Sequence, residues 1–108
     1  MKSEDLYRLW AYDLEVKLWS SKKETDPEDW RKSETLKIIS NLQDKAEKKR
    51  KELYEFIETI EDPYYRVLLT CRCIDRKTWK EVAQIMGGTP DSHRMALQRF
   101  IDEQQQQR

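Results

Sequence analysis

The sequence predicts an all-α protein, and three observations lead to this fold class. All 3 prolines follow a residue that caps helices, in the pairs Asp26-Pro27, Asp62-Pro63 and Thr89-Pro90. Thr78 is followed three positions later by Glu81, which is the pattern of a capping box. Apolar residues recur every three or four positions, a spacing that places them on one side of a helix.

The starts of five helices can be located from these signals. Ser3 caps the first segment, Asp26 and Asp62 precede the second and third, and Thr78 and Thr89 precede the last two. The predicted helices cover about residues 3–23, 27–60, 63–75, 78–86 and 90–104.

The second predicted helix is about 50 Å long at 1.5 Å per residue. Its apolar stripe has a coiled-coil spacing that Lys49 interrupts. The stripe consists of Ile39, Leu42, Ala46, Leu53, Phe56 and Ile60. Between residues 43 and 52 Ala46 is the only apolar residue, so this part is expected to project into solvent.

The first predicted helix carries apolar residues around most of its circumference. Such a surface must be covered from two sides, so we expect this helix to fold back on the second as a hairpin and to bury its remaining face in a homodimer. The alternative is a monomer in which the C-terminal helices cover that face. The predicted dimer interface consists of Leu6, Trp10, Leu14, Ile39, Leu42, Leu53 and Phe56.

Composition excludes several classes of protein. Lys plus Arg and Asp plus Glu both number 21, and charged residues make up 39% of the chain. The sequence contains neither an apolar run long enough to span a membrane nor a secretory leader, so a cytoplasmic protein is expected. It also lacks a phosphate-binding loop, a nucleophile elbow and a metal-ligand cluster, which predicts no enzyme activity, no cofactor and no metal. Cys71 and Cys73 lack metal-site spacing and are expected to be reduced and half-buried on different faces.

Residues 78–100 have the pattern of a helix-turn-helix unit. Such units need a small residue in the first helix, here Ala83, and a glycine at the turn, here Gly87. The apolar positions that would face the third helix are Val82, Met86, Ala96, Leu97, Phe100 and Ile101. We therefore expect a long N-terminal helical hairpin over 1–61, coiled-coil-like, followed by a three-helix helix-turn-helix domain over 62–108.

The segment from about 63 to 101 resembles the promoter-binding region four of sigma-seventy-type factors. It is most similar to the small sigma-like transcriptional regulators of phages and prophages. The residues that carry the resemblance are Leu68-Leu69, Arg72-Cys73-Ile74-Asp75, Thr78-Trp79-Lys80-Glu81-Val82-Ala83 and Met86-Gly87. The resemblance implies that the helix after Thr89 enters the major groove of DNA, that the Thr78 end lies near phosphates, and that RNA polymerase is a potential partner.

The sequence departs from the family pattern at three places. His93 stands where the family usually has Val or Ile, Gly88 replaces an apolar turn residue, and Pro90-Asp91 gives the recognition helix an acidic start. An aspartate there favours the helix dipole but repels phosphate. His93 is expected to form hydrogen bonds between helices and not to act as a pH switch.

Candidate DNA contacts fall into two groups. Arg94 and Gln98 lie four positions apart on one helix face, and their side chains suit guanine and adenine respectively. The predicted base contacts are Asp91, Ser92, Arg94, Met95 and Gln98, and the predicted phosphate contacts are Arg76, Lys77, Thr78, Lys80, Thr89 and Arg99. An ordinary solvated helix face is the alternative interpretation.

Three functions remain open at this point. The first is a sequence-specific, dimeric, nucleoid-associated regulator of phage or prophage transcription that binds double-stranded DNA. The second is a module that binds RNA polymerase or another factor without specific DNA contact, which the zero net charge and Asp91 favour. The third is a DNA-recognition subunit of phage packaging, which would form large rings instead of dimers.

Overall fold

The structure, a computed structural model, describes residues 3–25 and 29–106 and confirms the all-α class. Within these ranges it contains no strand. A π-helical turn over Thr70–Ile74 continues the fourth helix. The described residues form six α-helices, namely α1 (Ser3–Leu6), α2 (Arg8–Thr25), α3 (Asp29–Glu58), α4 (Pro63–Leu69), α5 (Trp79–Met86) and α6 (Pro90–Gln106).

The capping residues act as predicted at the three starts that the structure describes. The Asp62 carboxylate accepts a hydrogen bond from the Tyr64 amide at 2.9 Å. Thr78 and Glu81 exchange the two bonds of a capping box, at 3.1 and 3.2 Å. The Thr89 hydroxyl accepts from the Ser92 amide at 3.2 Å. The Asp26-Pro27 pair and the side chain of Ser3 lie outside the described residues.

Two helices differ from their predicted form. The first is interrupted by a turn at Tyr7. The segment that begins at Pro63 ends in the π-helical turn, where the Lys77 amide bonds to the Cys71 carbonyl at 2.9 Å. Arg76 then adopts a left-handed backbone with φ 57°. This is the conformation that ends many helices, although glycine usually occupies it.

The N-terminal helices run antiparallel to α3 and cover its middle. Asp5 in α1 approaches Lys49 in the second half of α3, with 3.8 Å between carboxylate oxygen and Nζ. The side chain of Lys49 is only 18% exposed, and it also pairs with Glu52 at 2.9 Å. Ala46 is buried. The prediction that residues 43–52 project into solvent is therefore wrong for this side of α3, because the aliphatic part of a lysine can pack while its ammonium reaches a carboxylate.

One hydrophobic cluster joins both halves of the chain. Leu6 and Leu9 from the N-terminal helices belong to it, together with Leu53 and Ile57 from α3. The C-terminal helices contribute Leu68, Leu69, Cys71, Cys73, Ile74, Val82, Ala96, Leu97, Phe100 and Ile101. The core thus crosses the boundary predicted between residues 61 and 62, and the C-terminal helices rest on the N-terminal ones.

The two cysteines are more deeply buried than predicted. Both are free thiols and both are buried, with Cys73 0% exposed. Burial raises the pKa of Cys73 to about 12, because the thiolate loses its hydration. Cys73 is therefore a neutral core residue and a poor nucleophile at neutral pH.

Replacing Leu53 by alanine tests the shared core. Leu53 is 0% exposed, so we expect Leu53→Ala to lower the free energy of unfolding by about 2–5 kcal/mol. Leu36→Ala in the same helix is the matched control, since Leu36 is 50% exposed and its truncation should change stability by less than about 0.5 kcal/mol. Urea unfolding followed by circular dichroism measures both. Equal losses for the two variants would contradict the assignment of Leu53 to the core.

Candidate nucleic-acid interface

A short turn sets the direction of α6 relative to α5. Helix α5 ends at Met86 and is capped by Gly87, whose φ of 82° confirms the predicted turn glycine. Gly88 also has a positive φ, of 72°. Two successive residues with positive φ form the turn between α5 and α6, and glycine adopts this backbone without a steric penalty.

His93 holds α6 against both the turn and α4. Its ring is 5% exposed, with Nε2 2.5 Å from the Gly87 carbonyl and Nδ1 2.7 Å from the Tyr64 hydroxyl. Because a carbonyl can only accept, Nε2 carries a proton, and in the neutral imidazole Nδ1 then accepts from the phenol. Burial, followed by the neighbouring Tyr65, raises the pKa of Tyr64, which keeps this donor protonated. The prediction that His93 forms hydrogen bonds between helices is confirmed.

The predicted base-contact residues lie on the exposed side of α6. All five are exposed in the structure, namely Asp91, Ser92, Arg94, Met95 and Gln98. The opposite side is buried in the core through Ala96, Leu97, Phe100 and Ile101, as predicted. The side of α6 that is open to a ligand is thus the side predicted from the sequence.

Three of these side chains, those of Asp91, Arg94 and Gln98, already have partners within α6. Arg94 Nε lies 3.5 Å from Asp91 Oδ1, and Gln98 donates to Asp102 Oδ1 at 3.1 Å. The Arg94 and Asp91 side chains are 56% and 84% exposed, so their pair contributes little stability and is easily exchanged for a contact with a ligand. Met95 is 55% exposed and adds an apolar contact surface to the exposed side of α6.

Some of the predicted phosphate-contact residues have no ion-pair partner in the described structure, whereas others already pair with another residue or cap a helix. Lys80 and Arg99 are exposed and have no ion-pair partner among the described residues. Arg76 instead pairs with Asp13 at 3.5 Å. Lys77 is half-buried. The hydroxyls of Thr78 and Thr89 serve as helix caps.

The sequence interpretation missed a contact that positions the start of α5. The guanidinium of Arg72 lies between two indole rings, 4.6 Å from the centre of Trp10 and 4.3 Å from that of Trp79. Trp10 Nε1 also donates to the Arg72 carbonyl at 2.9 Å. No local signal identifies this contact, because Trp10 and Arg72 are separated by 62 positions. Trp10, predicted at a dimer interface, therefore joins α2 to the C-terminal half.

Most of the other predicted dimer residues are covered within the chain. Leu6, Ile39, Leu42 and Leu53 are each less than 9% exposed, so the interface prediction needs correction for them. Phe56 packs near Phe100, with 6.4 Å between ring centres. Leu6 and Leu53 pack in one cluster with residues of the C-terminal helices, which supply cover that the prediction assigned to a second chain. Leu14 alone of the predicted set is largely exposed, at 58%, and Leu18 one turn later is 53% exposed.

Comparison with known proteins identifies no relative: no family model, curated protein or solved structure matches the chain. None of the described helices has the length and apolar character needed to cross a bilayer. In residues 3–25 and 29–106, His, Cys, Asp and Glu side chains do not gather in groups of three or more that would suit a metal ion.

Replacing Tyr64 by phenylalanine tests how α6 is held. The variant leaves Nδ1 of buried His93 without its donor, so we expect a loss of about 1–3 kcal/mol in unfolding free energy. Tyr54→Phe is the matched control, because Tyr54 is 43% exposed and has no hydrogen bond among the described residues that it would lose. Thermal and urea unfolding measure the difference. A Tyr64→Phe variant as stable as the control would mean that the contact between α4 and α6 does not depend on this bond.

Proposed function

We propose that the protein is a sequence-specific DNA-binding regulator that places the exposed face of α6 in the major groove. The observation that carries this proposal is the geometry of α6. Helix α5, the turn over 87–89 and α6 have the order of a helix-turn-helix, and α6 offers Arg94, Met95 and Gln98 to solvent. An exposed Arg and Gln four positions apart suit a guanine and an adenine on the same side of the groove.

The small number of free basic groups favours a minor contribution of phosphate contacts to DNA binding. Lys80 lies in the first turn of α5 and Arg99 lies on α6, and both have free ammonium or guanidinium groups in the described part of the chain. Few such groups are present, so binding by one copy is weak and two copies on adjacent half-sites strengthen it. The resemblance to sigma-like phage regulators, noted from the sequence, agrees with this role.

The rival proposal is a module that binds RNA polymerase or another factor through the same fold. The pairing of Arg94 with Asp91 favours it, because an acidic group at the start of α6 opposes phosphate. The packaging-subunit alternative has no specific observation in its favour. The large rings that a packaging subunit forms would be distinguished from a dimer by sedimentation.

Selection of bound duplexes from a random pool, repeated across a salt series, tests DNA binding directly. Arg94→Ala should then weaken binding to the selected site by about 1–3 kcal/mol and relax specificity at one base pair. Lys80→Ala should weaken binding to all sequences alike and flatten the salt dependence. Lys17→Ala is the matched control, because Lys17 is exposed on α2, and it should leave the affinity for DNA and its salt dependence unchanged. If no duplex is retained even at low salt, the polymerase-binding proposal replaces this one.

Dimerisation through α2 is a separate part of the proposal. Leu14 and Leu18 form an exposed apolar strip one helical turn long. We expect Leu14→Lys to shift a dimer to monomer in analytical ultracentrifugation and to leave the circular dichroism spectrum unchanged. Leu36→Lys on α3 is the matched control, since Leu36 is also exposed but lies outside this strip. A wild-type chain that sediments as a monomer at all concentrations would contradict the dimer.

A further inference from the structure

A groove with an aromatic floor lies at the junction of α3, α4 and α6. Its volume is about 600 Å³. Phe100 is flanked there by Tyr65 and Phe56, with ring centres 5.0 and 6.4 Å away. The remaining lining residues are Thr59, Ile60, Glu61, Asp62, Glu103 and Gln104.

All charged residues that line this groove in the described structure are acidic. Asp62 is partly engaged, because its carboxylate caps α4. Glu61 and Glu103 have no ion-pair partner among the described residues, whereas Asp13, Glu47 and other carboxylates pair with a neighbouring arginine or lysine. Two unpaired carboxylates thus stand beside an aromatic surface.

Helix ends add to the negative potential of the groove. Neither α3 nor α6 has a basic residue in its last turn, and Thr59, just after α3, and Gln104, in the last turn of α6, line the groove. The carbonyl end of a helix carries a partial negative charge that favours a cation. Arg66 donates to the backbone carbonyls of Ile60 and Glu61, at 2.9 and 3.3 Å, but does not line the groove.

We propose that this groove binds an arginine side chain presented by a partner protein, with its guanidinium stacked on Tyr65 and Phe56 and paired with Glu61 and Glu103. A planar guanidinium can do both at once, since it stacks on aromatic faces and donates in parallel to carboxylates. Lysine offers only a point charge. Nucleic acid is excluded as the occupant because its phosphates would meet the carboxylates.

The groove is separate from the start of α6, which carries the proposed base contacts Asp91, Ser92 and Arg94. Glu103 follows Arg94 by nine positions on α6, which corresponds to about 14 Å along the helix axis. The groove also lies at the C-terminal end of α6, whereas Asp91 and Arg94 lie at its start. The inference therefore stands whether or not α6 binds DNA.

Titration of the full ¹⁵N-labelled chain with N-acetyl-arginine methylamide tests the proposal by NMR. We expect saturable shifts at the amides of residues 59–62 and 100–104, with a Kd on the order of 1 mM for this single residue. The citrulline counterpart has the same shape without the charge and should produce no saturable shift. Absence of shifts at these amides with the arginine probe would overturn the proposal, as would equal shifts with citrulline.

A charge-matched pair of variants distinguishes the groove from general electrostatic attraction. Glu61→Gln with Glu103→Gln should weaken binding of the arginine probe by roughly five- to tenfold, since each substitution removes one exposed ion pair with the guanidinium. Glu15→Gln with Asp44→Asn removes the same charge from exposed positions on α2 and α3 and should leave the Kd unchanged. An equal weakening in both double variants would overturn the proposal. All four substitutions are at solvent-accessible positions, and thermal unfolding verifies that each variant is folded.

Discussion

The guanidinium of Arg72, enclosed between Trp10 and Trp79, connects three parts of the chain that lie far apart in sequence. Trp10 belongs to α2, Arg72 to the π-helical turn and Trp79 to the first turn of α5. Arg72 also donates from Nη1 to the Lys77 carbonyl at 2.8 Å, and it accepts from Trp10 through its own carbonyl. Cation–π contacts of this kind contribute about 0.5–2 kcal/mol each when they are shielded from water. The position of α5, and through the turn at Gly87 that of α6, therefore depends on a side chain from the N-terminal helices.

The size of the chain explains why such a connection is needed. Residues 62–108 alone form a segment of about 47 residues, and so short a chain buries a small fraction of its surface and gains little stability from its own core. Leu6, Leu9 and Leu53 complete its core and are almost fully buried there. The N-terminal helices are thus structural support for the C-terminal ones, and their apolar residues do not all require a second chain.

Helix α6 presents a different chemistry along each part of its length. Its inner side is apolar except for His93, whose two ring nitrogens are both hydrogen-bonded. Its outer side near the start carries Arg94 and Gln98, which suit base edges. Its C-terminal end borders the groove with Glu103, where the negative helix terminus and carboxylates suit a cation. Because the two exposed regions have opposite electrostatic character, DNA and a protein partner would not compete for the same surface.

The local features of this protein can be predicted from its sequence. The helix starts at Asp62, Thr78 and Thr89, the turn at Gly87 and the inward face of α6 all follow from signals within about four residues, because capping and helical periodicity are short-range effects. The tertiary structure alone decided which surfaces meet. An apolar stripe shows that a face is covered but not by what, so Leu6 and Leu53 were assigned to a dimer although the chain itself buries them. The stacking of Arg72 on Trp10 joins residues many positions apart, and Glu61 and Glu103 line one groove although they are distant in sequence. Only the packing of whole helices brings such residues together.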